Sequence, residues 1–171
     1  SALTAPAGRM TTLKSAYDAA CGKLAYRMRT EKEIRDFLEK AGYATDEIAE
    51  AVADLKSFGY IDDARFCEEY FRYAKQKAKA DARIIRELSQ KGITAEFARN
   101  VIEDVRVDAE AEFEDDETSA MKTAAQMLRN LTEDGKKADE KFFAKVGRRL
   151  FQLGFDSSVI YGVIGDLRRK Q

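Results

Sequence analysis

The chain has 171 residues, of which 44% are hydrophobic and 36% are charged, and its 30 basic and 31 acidic residues leave a net charge of −1. It has no histidine, which excludes a Ser-His or Cys-His nucleophile pair and a histidine-ligated zinc site, and we expect its two distant cysteines, Cys21 and Cys67, to be free core thiols. The uncharged stretches are roughly half as long as a membrane span, so we expect a soluble cytoplasmic protein that contacts no membrane.

Apolar residues recur every three or four positions from the beginning of the chain, which predicts a series of helices. The first helix carries its apolar stripe over residues 13–28. The second begins after Thr30, which forms a capping box with the glutamate three positions later, and ends at Gly42. The third begins at Thr45, where acidic residues occupy the positive end of the helix, and ends at Gly59.

The helix-glycine-helix pattern occurs three times, around Gly42, Gly92 and Gly154. The fourth residue before each glycine is a leucine, and apolar residues follow each glycine at the same four helical positions. A further apolar-striped helix precedes the second copy over residues 63–77 and the third copy over residues 118–131. We therefore predict an all-α fold of three tandem three-helix repeat units that form an elongated, curved helical array.

The repeat pattern also predicts the boundaries of the units. Residues 1–12 are interpreted as a disordered terminus or the remnant of an expression tag. The three units are expected at residues 13–59, 60–106 and 107–171. The third contains an insertion, because residues 103–117 include nine acids and one base. We expect this acidic insertion to be a solvated helix extension or a mobile connector.

Two motifs mark the joint between the first and second units. The chain has GYIDDARF at residues 59–66 and, after a basic stretch, IIRELSQKGI at residues 84–93. In order and spacing these motifs resemble the LGYLDDxRF and IxxELxxKGI of the RecX regulatory family, as does the threefold three-helix repeat.

The residues of this joint have predictable structural roles. Gly59 ends a helix in a left-handed turn, and Tyr60 and Ile61 are expected to be mostly buried in the seam between the first two units. Asp62 or Asp63 is expected to cap the next helix.

The resemblance implies a non-enzymatic regulator of the bacterial RecA recombinase. Such a protein binds the recombinase and its filament on single-stranded DNA, and inhibits ATP hydrolysis, filament extension and strand exchange. The implied partners are the RecA filament and single-stranded DNA, contacted directly or within the filament, and we expect a monomer. Independently, the sequence lacks a GxxxxGK[ST] phosphate loop and a CxxC motif, so we expect no catalytic residue, no metal and no cofactor.

Basic residues cluster in two stretches that we predict to bind the filament or its DNA. Residues 65–91 contain eight bases and four acids, and residues 72–79 contain four bases and no acid. Four like charges so close together repel one another unless a partner neutralises them, which favours a binding role for residues 72–79. We expect these side chains to be solvated, so that reversing their charge abolishes binding without unfolding the protein. The second stretch spans residues 136–149, and we expect a smaller loss of function when the charges of Lys141, Lys145 and Arg149 are reversed. The predicted binding residues are Arg72, Lys75, Lys77, Lys79, Arg83, Arg86, Lys145, Arg148 and Arg149.

Two other classes of function stay open from the residues alone. A winged helix-turn-helix transcription factor would also have short helices around a glycine turn, and residues 58–61 resemble the entry to a wing. A wing requires a β-hairpin next, whereas residues 63–77 have helical periodicity. A passive helical scaffold fits the repeats equally well but does not require clustered bases.

Overall fold

The protein is all-helical over the residues that the structure, a computed structural model, describes, which are 14–109 and 113–171. This confirms the predicted all-α class. The predicted terminal segment at residues 1–12 and residues 110–112 of the acidic insertion lie outside the described residues. No helix among the described residues is long and apolar enough to cross a membrane. The helices are α1 (Ala16–Leu24), α2 (Glu31–Lys40), α3 (Thr45–Ser57), α4 (Asp63–Gln76), α5 (Asp81–Gln90), α6 (Ala95–Asp108), α7 (Asp116–Glu133), α8 (Glu140–Gln152) and α9 (Ser157–Arg169).

The glycines that define the repeat end α2, α5 and α8 in the left-handed conformation. Gly42, Gly92 and Gly154 have φ angles of 94°, 90° and 91°. After Gly42, the N–H of Tyr43 donates to the carbonyl of Leu38 at 3.2 Å, and the residues after the other two glycines make the equivalent bond. These bonds satisfy carbonyls at the helix end, and a residue with a Cβ is strained at such a φ.

The described residues form two compact units, and the first is built around α1, α2 and α3. It consists of the described residues up to Cys67 together with Leu88–Ala98. Its three complete helices contact one another around a core of small and branched apolar side chains. These buried residues are Ala16, Ala20, Ile34, Leu38, Ile48, Ala51, Val52, Leu55 and Ile61.

The second compact unit contains Glu68–Glu87 and the described residues of Arg99–Gln171. Here α7, α8 and α9 contact one another, and Phe142 and Phe143 pack edge to face with ring centroids 5.8 Å apart. Ala80, which precedes α5, joins this core. The other buried members are Ala120, Ala124, Val146, Leu150, Leu153, Phe155, Ile160, Val163 and Leu167.

Each compact unit contains one copy of the same joint between consecutive repeats. In the first unit the hydroxyl of Thr30 donates to the carbonyl of Lys91 at 2.7 Å. In the second, the N–H of Ala80 donates to the carbonyl of Leu153 at 2.9 Å. Thr30 and Ala80 each precede the second helix of a repeat, and both acceptors immediately precede the glycine of the next repeat. The sequence repeat is therefore also a repeat of hydrogen bonding.

An aspartate at the beginning of the next helix completes each joint. The backbone N–H of Glu31 donates to the carboxylate of Asp63 at 3.0 Å. The N–H of Asp81 donates to the carboxylate of Asp116 at 3.3 Å. Each donor is the first residue of α2 or α5, and each acceptor is the first residue of α4 or α7. Backbone donors in the first turn of these helices thus gain acceptors from the following repeat.

The motif at residues 59–66, between α3 and α4, has the predicted structure except at Tyr60. Gly59 has a φ of 77°, and the side chain of Asp62 accepts from the N–H of Arg65 at 3.1 Å, as expected for a helix stop and a helix cap. Ile61 is 3% exposed in the core of the first unit. Tyr60 is 60% exposed, beside the ring of Phe58, so its predicted burial is wrong. Only one of two consecutive side chains enters the core at this turn.

The wing that the winged-helix alternative requires does not follow residues 58–61. A wing would require a β-hairpin immediately after residues 58–61, and α4 begins at Asp63 instead. The helical periodicity of this segment therefore predicted its structure better than the similarity of residues 58–61 to a wing entry.

Candidate partner-binding surfaces

Lys75, at the centre of residues 72–79, is surrounded by acidic side chains from other parts of the second compact unit. The side chain of Lys75 is 9% exposed, and its Nζ lies 2.5 Å from a carboxylate oxygen of Asp81 and 3.5 Å from Asp116. Arg106 donates to both oxygens of Asp81, at 2.5 and 2.9 Å. Burial acts to raise the pKa of Asp81, but the hydrogen bonds from Arg106 and Lys75 outweigh it and lower that pKa.

A second partly buried carboxylate, Glu87, binds two more of the predicted contact residues. Its oxygens accept from Lys79 at 3.0 Å and from Arg83 at 2.8 Å, and the hydroxyl of Tyr70 donates to it as well. Burial opposes ionisation of Glu87, yet these three donors lower its pKa to about 2. Arg83 also donates to the backbone carbonyl of Gln152. Lys79 and Arg83 therefore stabilise the beginning of α5 within the second compact unit.

Arg72 lies between an acid and an aromatic ring. Its guanidinium is 3.3 Å from the carboxylate of Glu68, and its central carbon is 5.1 Å from the ring centroid of Phe113. The ring of Phe113 in turn packs on Phe71, with centroids 5.0 Å apart. Phe113 belongs to the acidic insertion, so this part of the insertion packs against α4.

The acidic insertion is therefore more than the predicted solvated extension or connector. The helix α6 ends at Asp108, and Asp115 caps α7 by accepting from the N–H of Thr118 at 2.8 Å. Asp116 belongs to the joint with α5, and Arg106, the one base of the insertion, binds the acid that begins α5. Several of its charges thus serve helix capping and ion pairing.

The prediction that the first basic cluster is solvated is wrong for Lys75, Lys79 and Arg83. Their side chains are 9%, 18% and 30% exposed and are bound to carboxylates. Two of the neutralising acids, Asp81 and Glu87 on α5, lie within residues 65–91, whereas Asp116 at the beginning of α7 is 41 residues from Lys75. Of the other predicted residues, Lys77 and Arg86 are exposed. The charges of this cluster are mostly neutralised within the molecule.

An ion pair that recurs in the joints escaped the sequence analysis. Glu31 binds Lys56 at 2.8 Å, and Asp81 binds Arg106 in the equivalent position. In both repeats the acid stands eleven residues before the glycine and the base fourteen residues after it. The third repeat also has a base at this position, Arg168. Alignment on the glycines would have revealed the pair, because the bases share one register.

The second basic cluster lies on α8 and in the loop before it, and it differs from the first in its surroundings. Lys145, Arg148 and Arg149 are exposed. Over residues 14–109 and 113–171, no carboxylate lies within salt-bridge distance of these three side chains. An unneutralised, solvated set of bases is the electrostatic feature that an anionic partner requires.

Cys67 offers no reactive thiol. Cys67 is buried, and burial raises the pKa of its thiol to about 12, with a smaller contribution from the nearby carboxylate of Asp63. Cys21 is half-buried, and both thiols are free. A thiol with so high a pKa is a poor nucleophile because it stays protonated at neutral pH.

Comparison with known proteins identifies two domains. The family model described as RecX, first three-helix domain, matches residues 16–55, which contain α1, α2 and most of α3. The model described as RecX, second three-helix domain, matches residues 62–102, from α4 into α6. The two matches follow one another in the order of the family's own domains.

Relatives named Regulatory protein RecX align with most of the chain. That of Oceanobacillus iheyensis is 31% identical over 154 residues, which cover 90% of this chain and 53% of the relative. That of Listeria welshimeri is 32% identical over 151 residues, which cover 86% of this chain and 52% of the relative. The chain thus spans about half the length of these curated relatives.

Two solved structures share the fold. The crystal structure of RecX from Lactobacillus salivarius has a TM-score of 0.68 and 24% identity, and the alignment covers 90% of this chain and 94% of that one. A crystal structure of regulatory protein RecX has a TM-score of 0.66 and 25% identity, with coverages of 88% and 71%. The helical architecture is therefore shared over nearly the whole chain.

Proposed function

Because the chain belongs to the RecX family, we propose that it is a non-enzymatic regulator of the RecA recombinase. In this proposal it binds the recombinase and its filament on single-stranded DNA and inhibits ATP hydrolysis, filament extension and strand exchange. The observation that carries the proposal is the match of both family domains, in order, to the first two repeats.

The distribution of charge supports a role in binding a polyanionic assembly. We assign the contacts to the exposed bases Lys77, Arg86, Lys145, Arg148 and Arg149. Lysine and arginine at exposed positions bind phosphates and acidic protein surfaces, and each phosphate contact adds to the salt dependence of binding.

The partly buried bases of the first cluster have a different role in this proposal. Lys75, Lys79 and Arg83 already have carboxylate partners, so releasing them to a ligand would leave Asp81 and Glu87 unpaired. Breaking a buried ion pair in this way is costly. These three residues therefore preserve the shape of the surface while their exposed neighbours contact the partner.

The proposed function is tested by ATP hydrolysis. Purified protein is titrated into RecA with single-stranded DNA and ATP, and we expect the rate of hydrolysis to fall as the protein concentration rises. The inhibition should weaken with added salt, because basic contacts to a polyanion release counterions. In a parallel binding measurement, the same DNA without RecA and duplex DNA distinguish direct DNA binding from binding to the filament.

Two results would contradict the proposal. An unchanged rate of hydrolysis at an excess of the protein over RecA would exclude inhibition at this step. Tight, sequence-dependent binding to duplex DNA, without any effect on the recombinase, would indicate a transcription factor.

A further inference from the structure

A groove lies between α7, α8 and the loop that joins them, within the second compact unit. Its volume is about 810 Å³, which is within the range of ligand pockets. Met127, Leu131 and Phe142 form its apolar part. Met127 and Leu131 are half-buried against the core of the unit, whereas Phe142 is 6% exposed. The groove therefore offers apolar surface from side chains whose positions the core holds.

Basic side chains dominate the polar lining of the groove. Its two acidic residues are Asp134 and Asp139, and the carboxylate of Asp139 already accepts from the backbone N–H of Phe142 at 2.9 Å. Among the described residues, no carboxylate is within salt-bridge distance of any base of the lining. These bases are Lys136, Lys137, Lys141, Lys145 and Arg149.

The spacing of these bases makes them electrostatically unfavourable without a partner. Lys141, Lys145 and Arg149 follow one another at intervals of four residues along one face of α8. Like charges at this spacing destabilise a helix. Lys141 also stands in the first turn of α8, where the helix dipole disfavours a positive charge. Carboxylates placed in the groove would relieve both effects.

We propose that this groove binds an acidic amphipathic segment of a protein partner. Apolar side chains of the segment would contact Met127 and Leu131, and its carboxylates would pair with Lys141, Lys145 and Arg149. A helix that presents apolar residues at i, i+3 and i+7 among acidic ones has this pattern. The inference rests on the proposed function in taking Lys145 and Arg149 as contact residues, and it adds the chemistry that they recognise.

Single-stranded nucleic acid fits the groove less well. Sequence-independent binding of single strands relies on aromatic faces on which bases stack. The one aromatic side chain of the lining, Phe142, is buried in the core of the unit and offers no open face. Phosphates would pair with the bases but would leave the apolar surface of Met127 and Leu131 unused.

The proposal is tested with synthetic ligands and the full chain. The probe is a fluorescein-labelled amphipathic peptide of about 14 residues with leucine at i, i+3 and i+7, glutamate beside the leucines and alanine, a strong helix former, elsewhere. A matched peptide replaces each leucine by glutamine and keeps the net charge, and labelled oligo-dT represents single-stranded DNA. Fluorescence anisotropy measures each affinity at low and moderate salt. We expect the leucine peptide to bind at least about tenfold more tightly than the glutamine peptide.

Two charge reversals and one apolar substitution locate the binding site. Lys145→Glu should weaken binding of the leucine peptide about three- to tenfold, because it replaces an attraction with a repulsion. Lys170→Glu makes the same charge change at an exposed position outside the groove, and its effect should be less than about twofold. Met127→Gln should reduce the preference for the leucine peptide over the glutamine peptide. Thermal melting of each variant verifies that it is folded.

Several outcomes would overturn the inference. These are equal affinity for the two peptides, equal weakening by Lys145→Glu and Lys170→Glu, and tighter binding of oligo-dT than of the leucine peptide. The peptide assay contains no recombinase, so it can fail while ATP hydrolysis is still inhibited. Likewise, peptide binding without inhibition of ATP hydrolysis would support the groove as a binding site and contradict the proposed function.

Discussion

Lys75 and Lys145 carry the same side chain in opposite electrostatic surroundings. Lys75 is 9% exposed and pairs with two carboxylates, from α5 and α7. Lys145 is exposed, and its neighbours one turn away in either direction are Lys141 and Arg149. A charge in the first position stabilises the fold, whereas a charge in the second is available to a ligand.

This difference predicts different costs for the same substitution. Lys75→Glu should lower the free energy of unfolding by about 3 kcal/mol or more, because it leaves Asp81 facing a like charge in a site with little water. Lys145→Glu should change it by no more than about 0.5 kcal/mol. Urea denaturation of both variants measures the two values. Equal free energies of unfolding would mean that the Lys75 ion pairs do not contribute to stability.

At the scale of the helices, the repeated glycine positions require glycine for two different reasons, a positive φ and close packing. Gly42, Gly92 and Gly154 share the left-handed φ that ends a helix. A Cβ at Gly92 would lie 2.3 Å from the Cβ of Lys32 on α2, whereas a Cβ at Gly42 would have no atom within 4 Å. The absence of a Cβ therefore allows Lys32 to lie close to Gly92, and Arg83 close to Gly154, whereas no side chain among the described residues lies close to Gly42.

Matched alanine substitutions separate these two requirements. Gly42→Ala should cost about 1 kcal/mol of unfolding free energy, because alanine is strained at positive φ. Gly92→Ala should cost about 1–3 kcal/mol more, because the new methyl group overlaps Lys32 and the joint must shift. Chemical denaturation of the two variants gives the difference directly. Equal costs would indicate that α2 adjusts freely around the added methyl group.

At the scale of the whole molecule, function in the proposed mechanism depends on the charges that the fold leaves exposed. The first cluster has eight bases in sequence, but at its centre the acids of α5 and α7 neutralise most of the charge. Lys77 and Arg86 remain exposed. Charge counted along the sequence therefore overstates the charge that a partner meets.

Reversal of these two exposed bases tests their contribution to inhibition. The double variant Lys77→Glu, Arg86→Glu should raise the concentration needed for half-inhibition of RecA-dependent ATP hydrolysis about fivefold and make inhibition less sensitive to salt. Its melting temperature should stay within about 2 °C of the unaltered protein, because exposed substitutions cost little.

The matched control makes the same change of net charge elsewhere. Lys40 and Lys170 are exposed and outside both clusters, so Lys40→Glu, Lys170→Glu should change half-inhibition less than about twofold. If both double variants lose inhibition equally, net charge matters and the position of the bases does not.

Much of the fold was predictable from the sequence because its signals are local. Helical periodicity, the capping residue Thr30 and the glycines act over a few residues, and the structure has each where it was predicted. The motif at residues 59–66 similarly predicted a helix stop, a buried Ile61 and a new helix. The resemblance to the family rests on this motif and on residues 84–93, and the second matched domain model covers residues 62–102.

The tertiary structure alone decided which charges remain free and where an apolar groove opens. Lys75 and Asp116 are 41 residues apart in the chain, and their contact depends on how α4 packs near the beginning of α7. Tyr60 and Ile61 are neighbours in sequence, yet only packing determined that one is exposed and the other buried. Helix formation depends on neighbours along the chain, whereas neutralisation of a charge depends on distance in space, and a sequence without its fold does not contain that distance.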